Sequence, residues 1–372
     1  MKKANALYIG ITLAIIAVFG VMAFAIIHAL PKHHDYVYSP TEIIEYDPYE
    51  NYSPTDVSGI EGPVEYYGEL MLDGKRIVAE ETARPTQITG MSFFWSNWAS
   101  KFYTAETVDR MVDEFGCEVV RASYGVDDDG VPYVKNDVEL VENVIERAID
   151  RQIYVIVDWH SHGAHNNPDK AIEFFSRIAQ KYGEYDNVIF EIYNEPVHIS
   201  WNEVKAYAEK IIPVIRKYSD NLIVVGSPTW SQDVDTAALN PIADRNVAYS
   251  LHFYAGTHKK SIRDKAEKAI KNGSALFVTE WGSVNADGNG RINYDSSMEW
   301  INWCDKNNIS MCNWAINDKD ETSSIFNPDG TLTTTGKFVK SVIKARTASS
   351  EWKTGKPYWY KEIRLDGKKN AA

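Results

Sequence analysis

Two carboxylates, Glu195 and Glu280, stand at the ends of apolar runs of one design: VIFEIYNEP over residues 188–196 and ALFVTEWG over residues 275–282. Each run is rich in β-branched and aromatic residues and reaches the acid abruptly, which predicts a buried strand opening into a loop. Where parallel strands close into a barrel, their carboxyl-terminal ends bring side chains from separate strands to one rim. Two carboxyl groups meeting there can split a glycosidic bond: one protonates the leaving oxygen and the other acts as nucleophile or base. A single strand-end glutamate would read as a strand terminus in solvent. Two in matching contexts point to chemistry.

The elements that must position them recur regularly. Strands are predicted over 86–91, 118–122, 153–159, 188–193, 222–226, 247–252, 275–280 and 309–315, with amphipathic stretches between them at Val138–Asp150, Lys170–Tyr182, Glu203–Tyr218, Lys259–Lys271 and Thr335–Ala345. Pro213 should kink the third of these, since proline removes a backbone donor within a helix. Strict alternation over eight units predicts an α/β fold, a (β/α)8 TIM barrel. Asp73-Gly74, flanked by Leu70–Leu72 and Arg76–Ala79, signals an N-terminal hairpin that could close the barrel bottom. The strand ends carry Arg121, the Asp158-Trp159-His160 run, Asn194 with Glu195, His252-Phe253-Tyr254, Glu280-Trp281 and Asn313-Trp314. Such polar density would be a costly way to build a purely structural core.

Ahead of the barrel, Lys2-Lys3 precede a nearly unbroken apolar run from Ala4 to Leu30. That run is longer than a typical signal-peptide core and long enough to span a bilayer. Residues 1–30 are therefore expected to be a transmembrane signal anchor, or a signal peptide if Ala23-Phe24-Ala25 is cleaved; either takes the chain out of the cytoplasm. Residues 31–63, with recurrent prolines among Tyr, Asp, Glu and Ser, read as a linker. The catalytic barrel is expected over 64–345, followed by a polar extension, 346–372, without an assigned role.

A net charge of −13 argues against nucleic acid as a partner, because phosphates require Lys and Arg neutralisation. Three cysteines, Cys117, Cys304 and Cys312, cannot form a closed disulfide framework and read as small buried hydrophobes. Eleven tryptophans are many, and Trp98, Trp159, Trp230, Trp281 and Trp314 lie at or near predicted strand ends. There their flat faces suit the C–H faces of sugar rings, beside the usual packing role of large aromatics.

Together with GMS (90–92), VIVDWH (155–160), TWSQD (229–233), LHFYAGTH (251–258) and NDKDETS (317–323), these strand ends resemble glycoside hydrolase family 5, and most closely its bacterial endo-β-1,4-glucanases. The resemblance runs from about residue 64 to 345. It implies that Glu195 is the acid/base, with a raised pKa, and Glu280 the ionised nucleophile, aimed by Arg121 and Tyr254. It further implies that Asn194 bonds the sugar 2-hydroxyl and that His160 and His252 hold hydroxyls and the carboxylates. Trp314 would stack on the sugar at the cleavage point, Trp98 beyond it and Trp230 on the leaving-group side, with Tyr124, Lys319 and Glu321 completing the substrate contacts. Where relatives read SHG after GMS, this chain has aromatics, so Phe94 stands in for a substrate-binding histidine. His160, His162 and His165 have a ligand-like spacing, but the reaction needs no cation, and neither metal nor cofactor is expected. The expected partner is a β-glucan polysaccharide, and the membrane if the first segment is retained. The alternatives are another β-glycanase (mixed-linkage glucanase, xyloglucanase or mannanase) and a catalytically silent glycan-binding protein on the same fold.

Overall fold

The computed structural model describes residues 36–45, 54–127, 133–357 and 361–369. The chain divides into a unit of residues 39–366, which holds the barrel, and a second unit formed by residues 1–38 with 367–372. The expected anchor, residues 1–30, lies outside the described residues, among which no helix is long and apolar enough to cross a membrane. Strands Tyr36–Glu45 and Lys361–Lys369 lie within the segments expected to be linker and extension.

Eight parallel strands close a barrel: β1 Thr89–Phe93, β2 Val119–Gly125, β3 Tyr154–His160, β4 Val188–Glu191, β5 Ile223–Gly226, β6 Val247–Tyr254, β7 Leu276–Gly282 and β8 Met311–Ile316. β8 pairs with both β7 and β1, which seals the ring. Most strands run one to three residues further than the sequence pattern suggests. The polar residues read as strand ends, such as Arg121 and His252, are inward-facing and still paired in the ladder. β4 is the exception: it stops at Glu191, and the chain then turns over the rim with the Ile192 amide still donating to the Val224 carbonyl at 3.0 Å and the Glu195 amide to that of Ser161 at 3.3 Å.

The surrounding helices form where apolar residues recur on one face. Val138–Asp150 buries Val141, Val144, Ile145 and Ala148, and the Asp137 carboxylate caps its first turn by accepting from the Glu139 amide at 3.0 Å. Trp201–Ile215 opens with a capping box between Ser200 and Glu203. Pro213 falls inside the last turn of that helix, which ends at Ile215 and not at Tyr218.

The hairpin pairs Leu70–Asp73 with Arg76–Ala79 around Gly74, whose φ of 58° suits a residue without Cβ. Leu70, Ile77 and Ala79 pack against Val119, Ile156, Ile189, Val224 and Phe277, the lower ends of the strands, and so plug the bottom of the barrel. The Tyr154 hydroxyl donates to the Gly68 carbonyl at 2.6 Å, and Asn246 Nδ2 to that of Leu70 at 3.1 Å, which fastens the plug. A cavity of about 360 Å³ beside it is lined by Lys75, Arg76, Arg84 and Lys306, at the opposite end from the strand-end acids. Cys117, Cys304 and Cys312 are buried free thiols.

The seam between β8 and β1 is held by the last barrel helix, Thr334–Thr347. Its buried Arg346 pairs with buried Asp305 and donates to Gln87 Oε1 at 2.6 Å, while Gln87 Nε2 donates to the Ile309 carbonyl at 2.7 Å. Arg346→Met should strand the Asp305 charge and lower stability by about 3–5 kcal/mol, read as a drop in the urea midpoint. Arg346→Met combined with Asp305→Leu should recover part of that loss.

Candidate active site

β2 alternates Arg121 and Ser123 inward with Ala122 and Tyr124 outward, and this alternation builds the floor of the site. Arg121 is fully buried. Its Nε donates to Glu191 Oε2 at 2.7 Å and its Nη1 to Glu280 Oε2 at 3.1 Å, while Nη2 lies 2.9 Å from Asp158 Oδ2 and donates to Asn194 Oδ1 at 2.7 Å. One guanidinium thus meets three carboxylates from β3, β4 and β7. Their charges hold its proton more firmly than usual although burial opposes it.

Glu280 is almost completely buried, with the Tyr254 hydroxyl donating to Oε1 at 2.7 Å and Arg121 to Oε2. Glu195 stands opposite on the loop after β4, its side chain 12% exposed to the cleft. His252 Nδ1 lies 2.8 Å from its Oε1 and His162 Nε2 3.2 Å from its Oε2. Glu195, His252 and Glu280 each place an oxygen or nitrogen within 4.8 Å of the others. Each carboxylate is therefore held by two fixed donors, with its partner directly across.

The protonation pattern differs from the expectation that Glu195 alone is raised. Burial would raise Glu195, but the hydrogen bonds from His162 and His252 hold its carboxyl well below the ordinary range. Burial pushes Glu280 upward, and the Glu195 charge adds to this against His252, Arg121 and Tyr254. Burial works against His252 carrying charge, yet Glu280 and Glu195 raise it. These opposite shifts draw the proton between Glu195 and His252 toward the imidazole. Asp158 is pushed up to about 7 by burial, against Arg121, while burial and Arg121 keep His160 neutral. His160 Nδ1 then donates to Asp158 Oδ2 at 2.5 Å and its Nε2 faces Asn194 Nδ2 at 3.4 Å. Arg121 on the other atom of that amide fixes its orientation, so the Asn194 NH2 faces away from Arg121.

Trp314 lies parallel to His160, with ring centres 5.2 Å apart and planes 6° apart, and meets Phe94 at 5.2 Å. Lys319 Nζ sits 5.5 Å over the Phe94 ring and pairs with Glu321 Oε2 at 2.6 Å. Trp98 and Trp230 are about half exposed. Trp230 rides on a turn, Thr229–Ser231, whose φ angles of 54–59° are left-handed and strained for residues with a Cβ. Its backbone N–H bonds to the Pro196 carbonyl at 3.2 Å and the Ser231 hydroxyl to that of Asn194 at 2.7 Å, tying the exposed indole to the loop that carries Glu195.

The structure thus gathers Glu195, Glu280, Arg121, His160, Asn194, His252 and Tyr254 into one hydrogen-bonded cluster, with Trp314 stacked beside it. Tyr124 does not join them. It points outward, its ring stacked on Phe174 at 4.5 Å and its hydroxyl donated to the Asn136 carbonyl, so it is a packing residue. The three ligand-spaced histidines diverge: His160 goes to Asp158, His162 to Glu195 and His165 to the Tyr193 hydroxyl. The only triad among the described residues with ligand spacing is Glu195, His252 and Glu280, whose oxygens already have protein donors, one of them the Arg121 cation. Sequence reasoning missed Glu191, Thr279 and Trp95. Glu191 and Thr279 sit in apolar runs where a lone polar residue is the available signal. Trp95 packs edge-on against His160 with centres 4.2 Å apart, a contact that only folding creates.

A family model, cellulase (glycosyl hydrolase family 5), matches residues 79–320. Endoglucanase Z of Dickeya dadantii is 49% identical over 285 residues, which cover 74% of this chain and 66% of that protein, so the chain spans about two thirds of that relative's length. A solved structure from Cytophaga hutchinsonii superposes with a TM-score of 0.74 at 43% identity, covering 77% of this chain and 97% of the other. The endoglucanase catalytic domain of Thermobifida fusca, solved with cellotetraose, gives a TM-score of 0.71 at 29% identity over 76% of this chain and 99% of the other.

Because Tyr254 donates to the ionised form of Glu280, Tyr254→Phe should raise the Glu280 pKa. Carbon-13 carboxyl titration should show that upward move, with Glu195 shifting less.

Proposed function

The chain belongs to the cellulases of glycosyl hydrolase family 5, and from that premise we propose that it is a retaining endo-β-1,4-glucanase with Glu280 as nucleophile and Glu195 as acid/base. The observation that carries this reading is the approach of the two acids to within 4.8 Å. Retaining enzymes hold their carboxyl groups about 5–5.5 Å apart, whereas inverting ones need roughly 6.5–9.5 Å to admit a water.

The roles follow from the surroundings. Glu280, gripped by Arg121 and Tyr254, is aimed and has little freedom, as a nucleophile requires. Glu195 faces the cleft and shares a proton with His252. A sugar chain in the cleft displaces water from Glu195, which favours its neutral form and draws that proton onto the carboxyl. Attack of Glu280 on the anomeric carbon, with proton delivery from Glu195 to the leaving oxygen, gives a glycosyl-enzyme. Glu195, now a base, activates the water that opens it. The Asn194 NH2 is oriented to bond the sugar 2-hydroxyl, a contact that strengthens as positive charge develops at the ring. Trp314 offers a ring face beside the acids, with Trp98, Trp230, Lys319 and Glu321 as outer contacts. Phe94 under Lys319 replaces polar recognition by an apolar wall on the side away from the leaving group. The apolar run Ala4–Leu30 after Lys2-Lys3 supports an extracytoplasmic enzyme, anchored or secreted.

Glu280→Ala should lower kcat about 10⁴-fold or more. Glu195→Gln should slow cello-oligosaccharides far more than dinitrophenyl cellobioside, whose leaving group needs no proton. Proton NMR of the first product should show the β-anomer; an initial α-anomer would overturn the double displacement.

Trp314→Ala should cost about 1–3 kcal/mol in kcat/KM on β-1,4-glucan. Across carboxymethylcellulose, lichenan, xyloglucan and mannan, the unmodified protein should favour glucan chains. Faster cleavage of mannan would replace the glucanase assignment while leaving the retaining mechanism intact.

A further inference from the structure

The hydrogen-bond polarity around His252 can be read by elimination. Its Nδ1 lies 2.8 Å from Glu195 Oε1 and its Nε2 2.9 Å from Thr279 Oγ1. The Thr279 hydroxyl lies 2.6 Å from Glu191 Oε1, and Glu191 Oε2 takes Arg121 Nε at 2.7 Å. Paired with a guanidinium, Glu191 is an acceptor with no proton to give. Thr279 has one hydroxyl proton and donates it to Glu191, so toward His252 it can only accept. Nε2 must therefore carry hydrogen. The Ser250 hydroxyl, bonded to Thr279 and 3.2 Å from Glu191 Oε1, reinforces the same direction.

We propose that the buried chain Glu191–Thr279–His252 is a positioning relay: it locks the Nε2–H tautomer of His252, so that the single proton between His252 Nδ1 and Glu195 Oε1 is the one delivered to the glycosidic oxygen. This rests on Glu195 being the acid/base. With Nε2 protonated, the pair has two forms, an imidazolium facing a carboxylate or a neutral imidazole facing a carboxylic acid, and one proton moving along the 2.8 Å bond interconverts them. In the first chemical step that proton passes from Glu195 to the leaving oxygen. The C–O bond breaks with its electron pair on that oxygen, and a Glu280 oxygen bonds the anomeric carbon. In the second step water adds to that carbon, its proton goes to Glu195, and the Glu280 ester bond breaks with its electrons returning to the carboxylate. Glu191 and Thr279 neither gain nor lose a proton; only His252 and Glu195 exchange one. Without the lock, a neutral His252 bearing hydrogen on Nδ1 would donate to ionised Glu195. That arrangement keeps the hydrogen bond to Glu195 and leaves no proton to transfer.

The groups whose charges act on His252 come from several strands: Glu195 from the loop after β4, Glu191 from β4, Glu280 from β7, Asp158 and His160 from β3, Arg121 from β2, and His258 after β6. None of the others accepts from Nε2, so removing the Thr279 hydroxyl acts on this proton specifically.

The test compares Thr279→Val with Thr279→Ser, following kcat/KM against pH on cellopentaose and on dinitrophenyl cellobioside. Loss of the acceptor for Nε2–H weakens the pair's hold on its proton. The Val variant should therefore lose activity on cellopentaose about one pH unit earlier on the alkaline side, a tenfold deficit there, with little change on the activated substrate. Ser should restore the profile. A uniform loss across pH and on both substrates would make Thr279 merely structural and overturn the relay. Nitrogen-15 NMR of the unmodified enzyme gives a reading independent of variant folding. Above the alkaline limb His252 should carry hydrogen on Nε2, and hydrogen on Nδ1 overturns the proposal. Glu195→Gln on the same two substrates separates the two readings. Equal losses on both substrates reject Glu195 as acid, whereas leaving-group dependence with an unshifted Val profile rejects only the relay.

Discussion

The arrangement depends on one buried cation. Arg121, fully enclosed by the barrel, holds Glu191, Glu280 and Asp158 at 2.7–3.1 Å. Three carboxylates cannot be taken out of water so close together without a partner, and a lone guanidinium would be as costly. Arginine suits the task because its planar fork offers donors in several fixed directions and stays charged under all conditions. A lysine at this position would neutralise one acid and leave the others to repel. Burial still pushes Asp158 up to about 7 against the Arg121 cation, and it opposes charge on His252, whose proton affinity Glu280 and Glu195 nevertheless raise.

From this cation, order spreads outward through directional bonds. Arg121 orients the Asn194 amide, which faces His160, which is bonded to Asp158 and stacked on Trp314. A second branch runs through Glu191 and Thr279 to His252 and Glu195. The two carboxylates that face the cleft are thus held by connected networks rather than by independent contacts. Such preorganisation is how an enzyme avoids reorganising its surroundings as charge moves. The two ends of the barrel divide the labour. Apolar packing and a plugging hairpin supply stability below, while polar groups that would weaken a core are concentrated above. The left-handed turn at Thr229–Ser231 belongs to the upper end, where strain presents an indole to the cleft.

Much of the barrel was legible from periodicity alone. Val138–Asp150 begins and ends where its apolar spacing says it should, because that signal is local. The strand ends were less so: polar residues such as Arg121 and His252 were read as strand ends but remain in the ladder, since an inward face lined with charge partners tolerates them. Glu195 and Glu280 stood out because an acid closing an apolar strand is conspicuous. Tyr124 was misleading because it sits one residue beyond an inward-facing serine. Strand alternation sends it to the helices, a distinction that type and position near a rim do not carry.

By itself the chain determined the alternation of strands and helices, the placing of acids at strand ends and the family pattern that joins them, because each is written in residues close together in sequence. Only the tertiary structure decided which groups share a proton. The Glu191–Thr279–His252–Glu195 chain links residues 191, 195, 252 and 279, distant in sequence yet within hydrogen-bond reach. Its polarity follows from Arg121, 70 positions away from Glu191. Hydrogen bonds act over about 3 Å and in fixed directions, so their partners are defined by barrel closure and register rather than by local sequence.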